Sequence, residues 1–143
     1  MDISNRKTRQ RSIVVAEAQA RRLRGLLAAR LKSASHDEAH LHDLASELEH
    51  ALLVARDEIP PGVVAMDSAV RVLDLSSGER REYTLAYPAE ANLAEGRISV
   101  LAPLGTALLG YREGDEFEWH MPGGLRRLRI EKVRSSNENT VRH

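Results

Sequence analysis

Side chains able to bind a metal ion are concentrated in the segment 36–43 of the 143-residue chain. His36, His40 and Asp43 follow one another at positions i, i+4 and i+7, which share one face of a helix. Two imidazoles and a carboxylate on one face form a ligand set of the kind that holds zinc. The alternative is a solvated polar face at the start of a helix. We favour this alternative, so the sequence predicts neither a metal site nor a cofactor.

Asp37 and Glu38 are adjacent acids within the same segment, and they suggest a different chemistry. Two carboxylates at the exposed tip of a hairpin can help to hold Mg²⁺ in the active site of a partner. More ordinarily, such acids stabilise the N-terminus of a helix. The chain itself has no cysteine, no Gly-x-Ser-x-Gly motif and no Walker loop. We therefore predict no catalytic residue and expect a protein that is not an enzyme.

A basic stripe near the C-terminus is the third candidate. Arg127 and Arg129 share one face of a predicted strand, and Leu128 and Ile130 share the other. Such a stripe can contact RNA or an acidic protein. A solvated sheet face is the favoured interpretation, because acids are plentiful nearby and only three Tyr, one Trp and one Phe are available for base stacking.

The distribution of charge narrows the class of partner. Lys and Arg number 21 and so do Asp and Glu, so the formal net charge is zero. Residues 1–34 carry nine basic and two acidic side chains, residues 35–62 one and seven, and residues 63–143 eleven and twelve. A chain with this balance does not bind nucleic acid by bulk charge. The segregation instead predicts a basic helix that faces an acidic one.

Two amphipathic helices must position the acids and the histidines. Residues 16–32 and about 37–56 have apolar side chains at spacings of three and four, which is the helical period. A short turn joins them, so they are expected to lie antiparallel as a coiled-coil hairpin, or prong, with the acids at its tip. The run Ile13–Val15 predicts a brief strand before the first helix. The sequence Ile59-Pro60-Pro61-Gly62 then ends the helical pattern.

Downstream of that break, the apolar side chains follow the period of two that is typical of strands. The pattern predicts strands near residues 70–73, 83–87, 97–101, 117–121 and 128–130, and a short helix from Pro103 to Gly110. We expect an α+β fold in which a five-stranded antiparallel sheet carries one short helix. The expected division is a disordered basic tail at 1–11, the hairpin at 12–58, the sheet domain at 59–134 and a disordered tail at 135–143.

The second half of the chain, roughly residues 59–133, resembles the C-terminal domain of the bacterial Gre transcript-cleavage factors. The resemblance rests on the order and spacing of several short motifs. They are Asp74–Glu79, Tyr83–Leu85, Ile98–Gly110, Gly114-Asp115 and Pro122-Gly123-Gly124. Within that superfamily the chain is most similar to the Rnk-like regulators of nucleoside diphosphate kinase, through Tyr83–Ala89 and Ala102–Gly110.

This resemblance implies an FKBP-like C-terminal domain behind a short N-terminal coiled coil. It also implies core RNA polymerase as the partner, because the C-terminal domain of the Gre factors docks at the mouth of the secondary channel and their coiled coil enters it. The docking residues are expected at Ala102, Pro103 and Leu104, where a strand turns into the short helix. DNA or RNA contact is expected only within the transcription complex, and the oligomeric state stays open.

The cleavage activity of the Gre factors is not expected to carry over. Acids at the Gre tip help to bind a catalytic metal, but Asp37 and Glu38 lack the separated acidic pair of that tip. Each helix is also shorter by about ten residues than the helices of the Gre prong, which removes about 15 Å of reach.

We expect a cytoplasmic protein, since no signal pattern or membrane-length apolar run is present. The expected function is that of a regulator with an indirect effect on nucleoside diphosphate kinase. The alternatives are a true cleavage factor using the tip acids, or an FKBP-like prolyl isomerase with Phe117, Trp119 and the tyrosines lining its pocket.

Overall fold

The computed structural model of the protein describes residues 12–32, 39–121 and 123–135. It combines an N-terminal helical hairpin with a five-stranded sheet and a short helix, which confirms the predicted α+β class. The predicted tail at 1–11 and all but the first residue of the predicted tail at 135–143 lie outside the described residues.

The hairpin is formed by α1 (Glu17–Leu31) and α2 (Ala39–Glu49). Its inward faces carry leucines at the predicted spacings of three and four, each at most 2% exposed: Leu23, Leu27, Leu41, Leu44 and Leu48. Arg24 joins the two helices across the seam, since its Nη2 donates to the Leu48 carbonyl at 2.9 Å. Among the residues that the structure describes, no helix combines the length and the apolar character that crossing a membrane requires.

Helix α2 is shorter than the sequence pattern predicted, and its expected extension to about Arg56 is wrong. The helix ends at Glu49, and Leu52–Val54 form strand β2 instead. Strand β2 pairs in parallel with β1 (Val14–Ala16), the brief strand predicted before α1. The aliphatic run 52–54 fits either a helical stripe or a strand, and the pairing with β1 decides between them.

The remaining elements fall close to their predicted positions. They are β3 (Ala69–Asp74), β4 (Arg80–Ala86), β5 (Arg97–Ser99), α3 (Pro103–Leu108), β6 (Glu116–Met121) and β7 (Gly124–Arg134). The five strands β3–β7 form one sheet in the spatial order β5-β4-β3-β7-β6.

The sheet is mixed, so the prediction of a purely antiparallel sheet is wrong. Strands β4 and β5 run parallel, whereas the other three pairs are antiparallel. Two short 3-10 turns, Pro88–Glu90 and Leu93–Glu95, bring the chain back to the level of Thr84 before β5 begins. A period of two identifies the faces of a strand but not its direction, which explains the error.

The buried side chains of the hairpin and of the sheet form a continuous cluster. Leu44 of α2 belongs to the same cluster as Ile130 of β7. On the sheet side, Tyr111 stacks on Phe117 with ring centroids 4.8 Å apart, and Phe117 meets Trp119 edge-on at 6.3 Å. The hairpin therefore packs on the sheet domain, where α2 contacts α3.

Candidate protein-docking site

The predicted docking residues lie in the turn between β5 and α3. Pro103 is the first residue of α3 and is exposed, while Ala102 and Leu104 on either side of it are half-buried. Proline suits this position because its ring fixes a helical φ and no N–H is needed there. Ser99 fixes the backbone that leads into α3. Its Oγ accepts a hydrogen bond from the Leu101 N–H at 3.0 Å, and its carbonyl oxygen accepts one from the Ala102 N–H at 3.0 Å. Residues 101–104 thus form a defined turn, which we call the docking turn after its predicted role.

Two buried residues beneath the docking turn keep it in place. Thr106 is 3% exposed, and its Oγ1 donates to the Val100 carbonyl at 2.6 Å. Its N–H donates to the Ala102 carbonyl at 2.8 Å, which closes the first turn of α3. Gly105 lies against the Ser99 carbonyl, so a Cβ at this position would collide with that oxygen. These contacts define the backbone conformation of the docking turn.

A crevice of about 40 Å³ lies beside Leu104. Its other lining residues are Val72, Asp74, Glu79, Arg81, Tyr83, Trp119 and Leu128. This volume is far below the roughly 300 Å³ of a small-molecule pocket. Phe117 and Trp119, at 2% and 8% exposed, are packed into the core. The aromatic side chains considered for a prolyl isomerase therefore do not form a proline-sized pocket at this place.

The start of α2 lies directly against the docking turn. The Nε2 atom of His40 is 2.9 Å from the Leu101 carbonyl oxygen, although the two residues are 61 positions apart in the chain. Nearer the base of the hairpin, the guanidinium of Arg22 lies 3.6 Å from the centre of the Tyr87 ring. No short-range sequence pattern points to either contact, which is why neither was predicted.

Only His40 and Asp43 of the three residues considered as a metal-binding face lie in the described part of the chain. His40 is half-buried and uses Nε2 in the contact above, and Asp43 is exposed. His36 lies outside the described residues, as do the tip acids Asp37 and Glu38. Within residues 12–32, 39–121 and 123–135, no group of three His, Cys, Asp or Glu side chains is placed to hold a metal ion. The role of the tip acids stays a prediction.

The basic stripe of β7 is neutralised by acids of β6. Arg127 Nε donates to Glu116 Oε1 at 3.1 Å, and its Nη1 lies 3.6 Å from Glu118 Oε2. Arg129 Nε donates to the other Glu116 oxygen at 2.9 Å. The hydrogen bond from Arg129, followed by that from Arg127, holds the pKa of Glu116 below its ordinary value. This face therefore matches the solvated-sheet interpretation rather than a nucleic-acid stripe.

Sequence comparison identifies known proteins to which this chain is similar. The family model for the C-terminal region of the transcription elongation factors GreA and GreB matches residues 59–135, which include the docking turn. The regulator of nucleoside diphosphate kinase of Escherichia coli K12 is 45% identical over 82 residues, covering 57% of this chain and 60% of that protein. The elongation factor GreA of Nautilia profundicola is 36% identical over 99 residues, covering 69% of this chain and 61% of that protein. The match thus spans about 60% of the length of these curated relatives.

A solved structure extends the likeness to the hairpin. The elongation factor GreA/GreB from Nitrosomonas europaea is 41% identical, with a TM-score of 0.76, and the match covers 87% of this chain and 99% of that one. The part of this chain that matches the solved structure, 87%, is longer than residues 59–135, so it also includes residues of the hairpin. The names of these relatives describe regulators and elongation factors, which confirms the predicted resemblance. On the family match and these identities, the chain belongs to the GreA/GreB family of transcription elongation factors.

Proposed function

We propose that the protein is a transcription regulator that docks on RNA polymerase at the mouth of its secondary channel through its C-terminal domain. The docking turn is the observation that carries this proposal: an exposed proline on a rigid base, inside the region shared with elongation factors. Ala102, Pro103 and Leu104 are the contact residues in this proposal. The hairpin is too short for strong stimulation of transcript cleavage.

The docking turn has the physical properties of a protein-binding surface. The hydrogen bonds of Ser99 and Thr106 fix its backbone before a partner arrives. Binding then orders few groups and costs little conformational entropy. Pro103 and Leu104 supply an apolar centre, and the charged side chains around the neighbouring crevice supply a polar rim. This supports a contact with a protein surface rather than with a small molecule.

Binding to core RNA polymerase tests the proposal directly. We expect the full chain to co-purify with the core enzyme and to be displaced by a Gre factor that occupies the same site. Pro103→Asp and Leu104→Asp place a charge in the apolar centre, so each should weaken binding at least about tenfold, or about 1.4 kcal/mol. Leu93→Asp is the matched control, because Leu93 is 69% exposed and lies outside the docking turn. Absence of wild-type binding at micromolar concentration would falsify the proposal.

The dimensions of the hairpin support the proposed lack of strong cleavage stimulation. In the described residues, α1 has 15 residues and α2 has 11, which at 1.5 Å per residue gives lengths of about 22 and 16 Å. The first described turn of α2 is also hydrogen-bonded to Leu101, through His40. Carboxylates coordinate a metal at about 2 Å, so acids on a prong that falls about 15 Å short cannot contribute.

A cleavage assay on stalled transcription complexes separates this proposal from the alternative of a true cleavage factor. We expect the wild-type chain to stimulate cleavage little above polymerase alone. Strong stimulation that the double variant Asp37→Asn plus Glu38→Gln abolishes would instead establish the tip-acid mechanism. Strong stimulation that survives in the double variant would exclude that mechanism and also contradict the proposal.

The proposal also covers the link to nucleoside diphosphate kinase and the absence of prolyl isomerase activity. The effect on nucleoside diphosphate kinase that the name of the Escherichia coli relative describes is, for this chain, an indirect result of altered transcription. The FKBP-like description of the sheet domain concerns its shape alone, since the crevice beside Leu104 is too small for a proline side chain. A standard peptide isomerisation assay is therefore expected to show no activity.

A further inference from the structure

The contact between His40 and Leu101 joins the hairpin to the docking turn at one defined atom pair. The acceptor is a backbone carbonyl oxygen, which cannot donate, so the His40 Nε2 that lies 2.9 Å away must carry the proton. The Leu101 N–H is bonded in turn to Ser99 Oγ at 3.0 Å. Both backbone polar groups of Leu101 are thus held, one from the sheet domain and one from the hairpin.

The hairpin is itself held firmly enough to restrain the docking turn. Leu41 and Leu44, one and four residues after His40, are 0% exposed and belong to the core cluster. Because the side chains that flank His40 on its helix are locked by packing, its imidazole has little freedom to leave the carbonyl. Helix α2 also packs against α3, which begins at Pro103.

We propose that His40 is a positioning residue for the docking turn: it couples the placement of the hairpin to the backbone that presents Ala102, Pro103 and Leu104. This inference rests on the proposed docking function. Without the imidazole, the half-buried Leu101 carbonyl loses its partner and the turn samples conformations that do not fit the polymerase. A hydrogen bond of this kind changes a population by about two- to tenfold, and the affinity for polymerase falls by the same factor.

The experiment compares three full-length variants with the wild type. His40→Leu keeps a side chain of similar bulk without the donor, and His40→Gln restores an N–H donor at a similar distance from the backbone. His42→Leu is the matched control, because His42 is exposed on the same helix. Each protein is measured twice: by amide hydrogen exchange of the free chain, and by its dissociation constant for core polymerase.

The expected result is local. In His40→Leu, exchange at the Ala102 and Thr106 amides accelerates about two- to tenfold, and the dissociation constant rises by the same factor. His40→Gln restores both values, and His42→Leu changes neither. If His40 has only a structural role, the His40→Leu substitution should instead accelerate amide exchange throughout the core, and this result would overturn the proposal.

The remaining outcomes are equally decisive. Unchanged exchange at the docking turn in His40→Leu, or failure of His40→Gln to restore it, overturns the coupling. Faster local exchange with unchanged affinity overturns the role in docking. If the wild-type chain does not bind polymerase at all, the proposed function fails, while the exchange data on the free chain still decide the coupling.

Discussion

Gly105 shows how a single side-chain atom determines whether the docking turn can form. A Cβ at this position would collide with the Ser99 carbonyl oxygen and approach the backbone of Val100. Backbone atoms cannot move aside cheaply in a packed interior. We therefore expect Gly105→Ala to lower the free energy of unfolding by about 1–3 kcal/mol or more, as measured by urea denaturation.

The matched control is Gly25→Ala in the exposed middle of α1, where nothing lies within 4 Å of a built Cβ. Alanine is the better helix former, so this substitution should raise the free energy of unfolding by about 0.5–1 kcal/mol. Equal effects of the two substitutions would contradict a specific steric role for Gly105.

Thr106 provides the second residue-scale prediction. Its buried hydroxyl donates to the Val100 carbonyl at 2.6 Å. Thr106→Val retains the shape of the side chain but leaves that carbonyl without its donor, which should cost about 1–2 kcal/mol of unfolding free energy. Thr106→Ser keeps the hydroxyl and should lose less. Denaturant titrations of both variants provide the measurement, and a valine variant as stable as wild type would show that water replaces the hydroxyl.

At the scale of elements, ion pairs join β7 to β6 and to β4, and their contribution to stability depends on pH. The hydrogen bonds from Arg129 and Arg127 lower the pKa of Glu116, and the hydrogen bond from Arg80 lowers that of Glu131. A carboxylate with a lowered pKa in the folded state contributes stability above its ordinary value of 4.5, and this is lost as pH falls through the folded-state value. The urea concentration at the unfolding midpoint should therefore decrease as the pH is lowered from about 5 through the folded-state pKa values.

Substitution at β6 identifies the source of that acid sensitivity. Glu116→Gln should flatten the decline of the urea midpoint in acid, and added salt should weaken the same contribution because the paired arginines are exposed to solvent. Glu118→Gln is the control on the same strand, since its contact with Arg127 is longer, at 3.6 Å. An identical pH profile for wild type and Glu116→Gln would rule out the paired carboxylate as the cause.

The helices and strands also show which parts of the fold could be predicted from sequence patterns. The strands β3, β4, β6 and β7 and the helix α3 were predictable because the alternation of apolar residues and the turn residues between them are local signals. The parallel direction of β5 and the pairing of Leu52–Val54 with β1 depend on where the chain returns in space. Such tertiary pairing has no short-range signal, which is why α2 was predicted too long.

The candidate site likewise combines features that local sequence predicts with a contact that depends on the tertiary fold. The docking role of Ala102, Pro103 and Leu104 follows from the resemblance of their motif and stays a prediction, whereas the helix that starts at Pro103 was predictable from local chemistry and is observed. The bond from His40 to Leu101 joins two segments through the folded hairpin, and periodicity places His40 on a helix face without identifying its partner.

At the scale of the whole molecule, the continuous core predicts that the hairpin and the sheet unfold together. Leu44 in the hairpin and Trp119 in the sheet belong to one hydrophobic cluster, and Trp119 is the single tryptophan of the chain. Leu44→Ala should lower the free energy of unfolding by about 2–4 kcal/mol through loss of burial and the cavity left behind. Because the core is shared, the fluorescence transition of Trp119 should move by the same amount as the loss of helical circular dichroism.

Leu52→Ala is the control for this experiment, because Leu52 belongs to the hairpin segment but is 59% exposed and should move neither transition by more than about 0.5 kcal/mol. If Leu44→Ala shifts the helical signal alone and leaves the Trp119 midpoint at its wild-type value, the segment 12–58 is an independent unit, as the division at residue 59 proposes. Coincident shifts would mean that the hairpin is a layer of the same domain. In that case, a change of hairpin position would reach the docking turn through the core as well as through His40, and a hairpin too short to act in the channel would still influence docking.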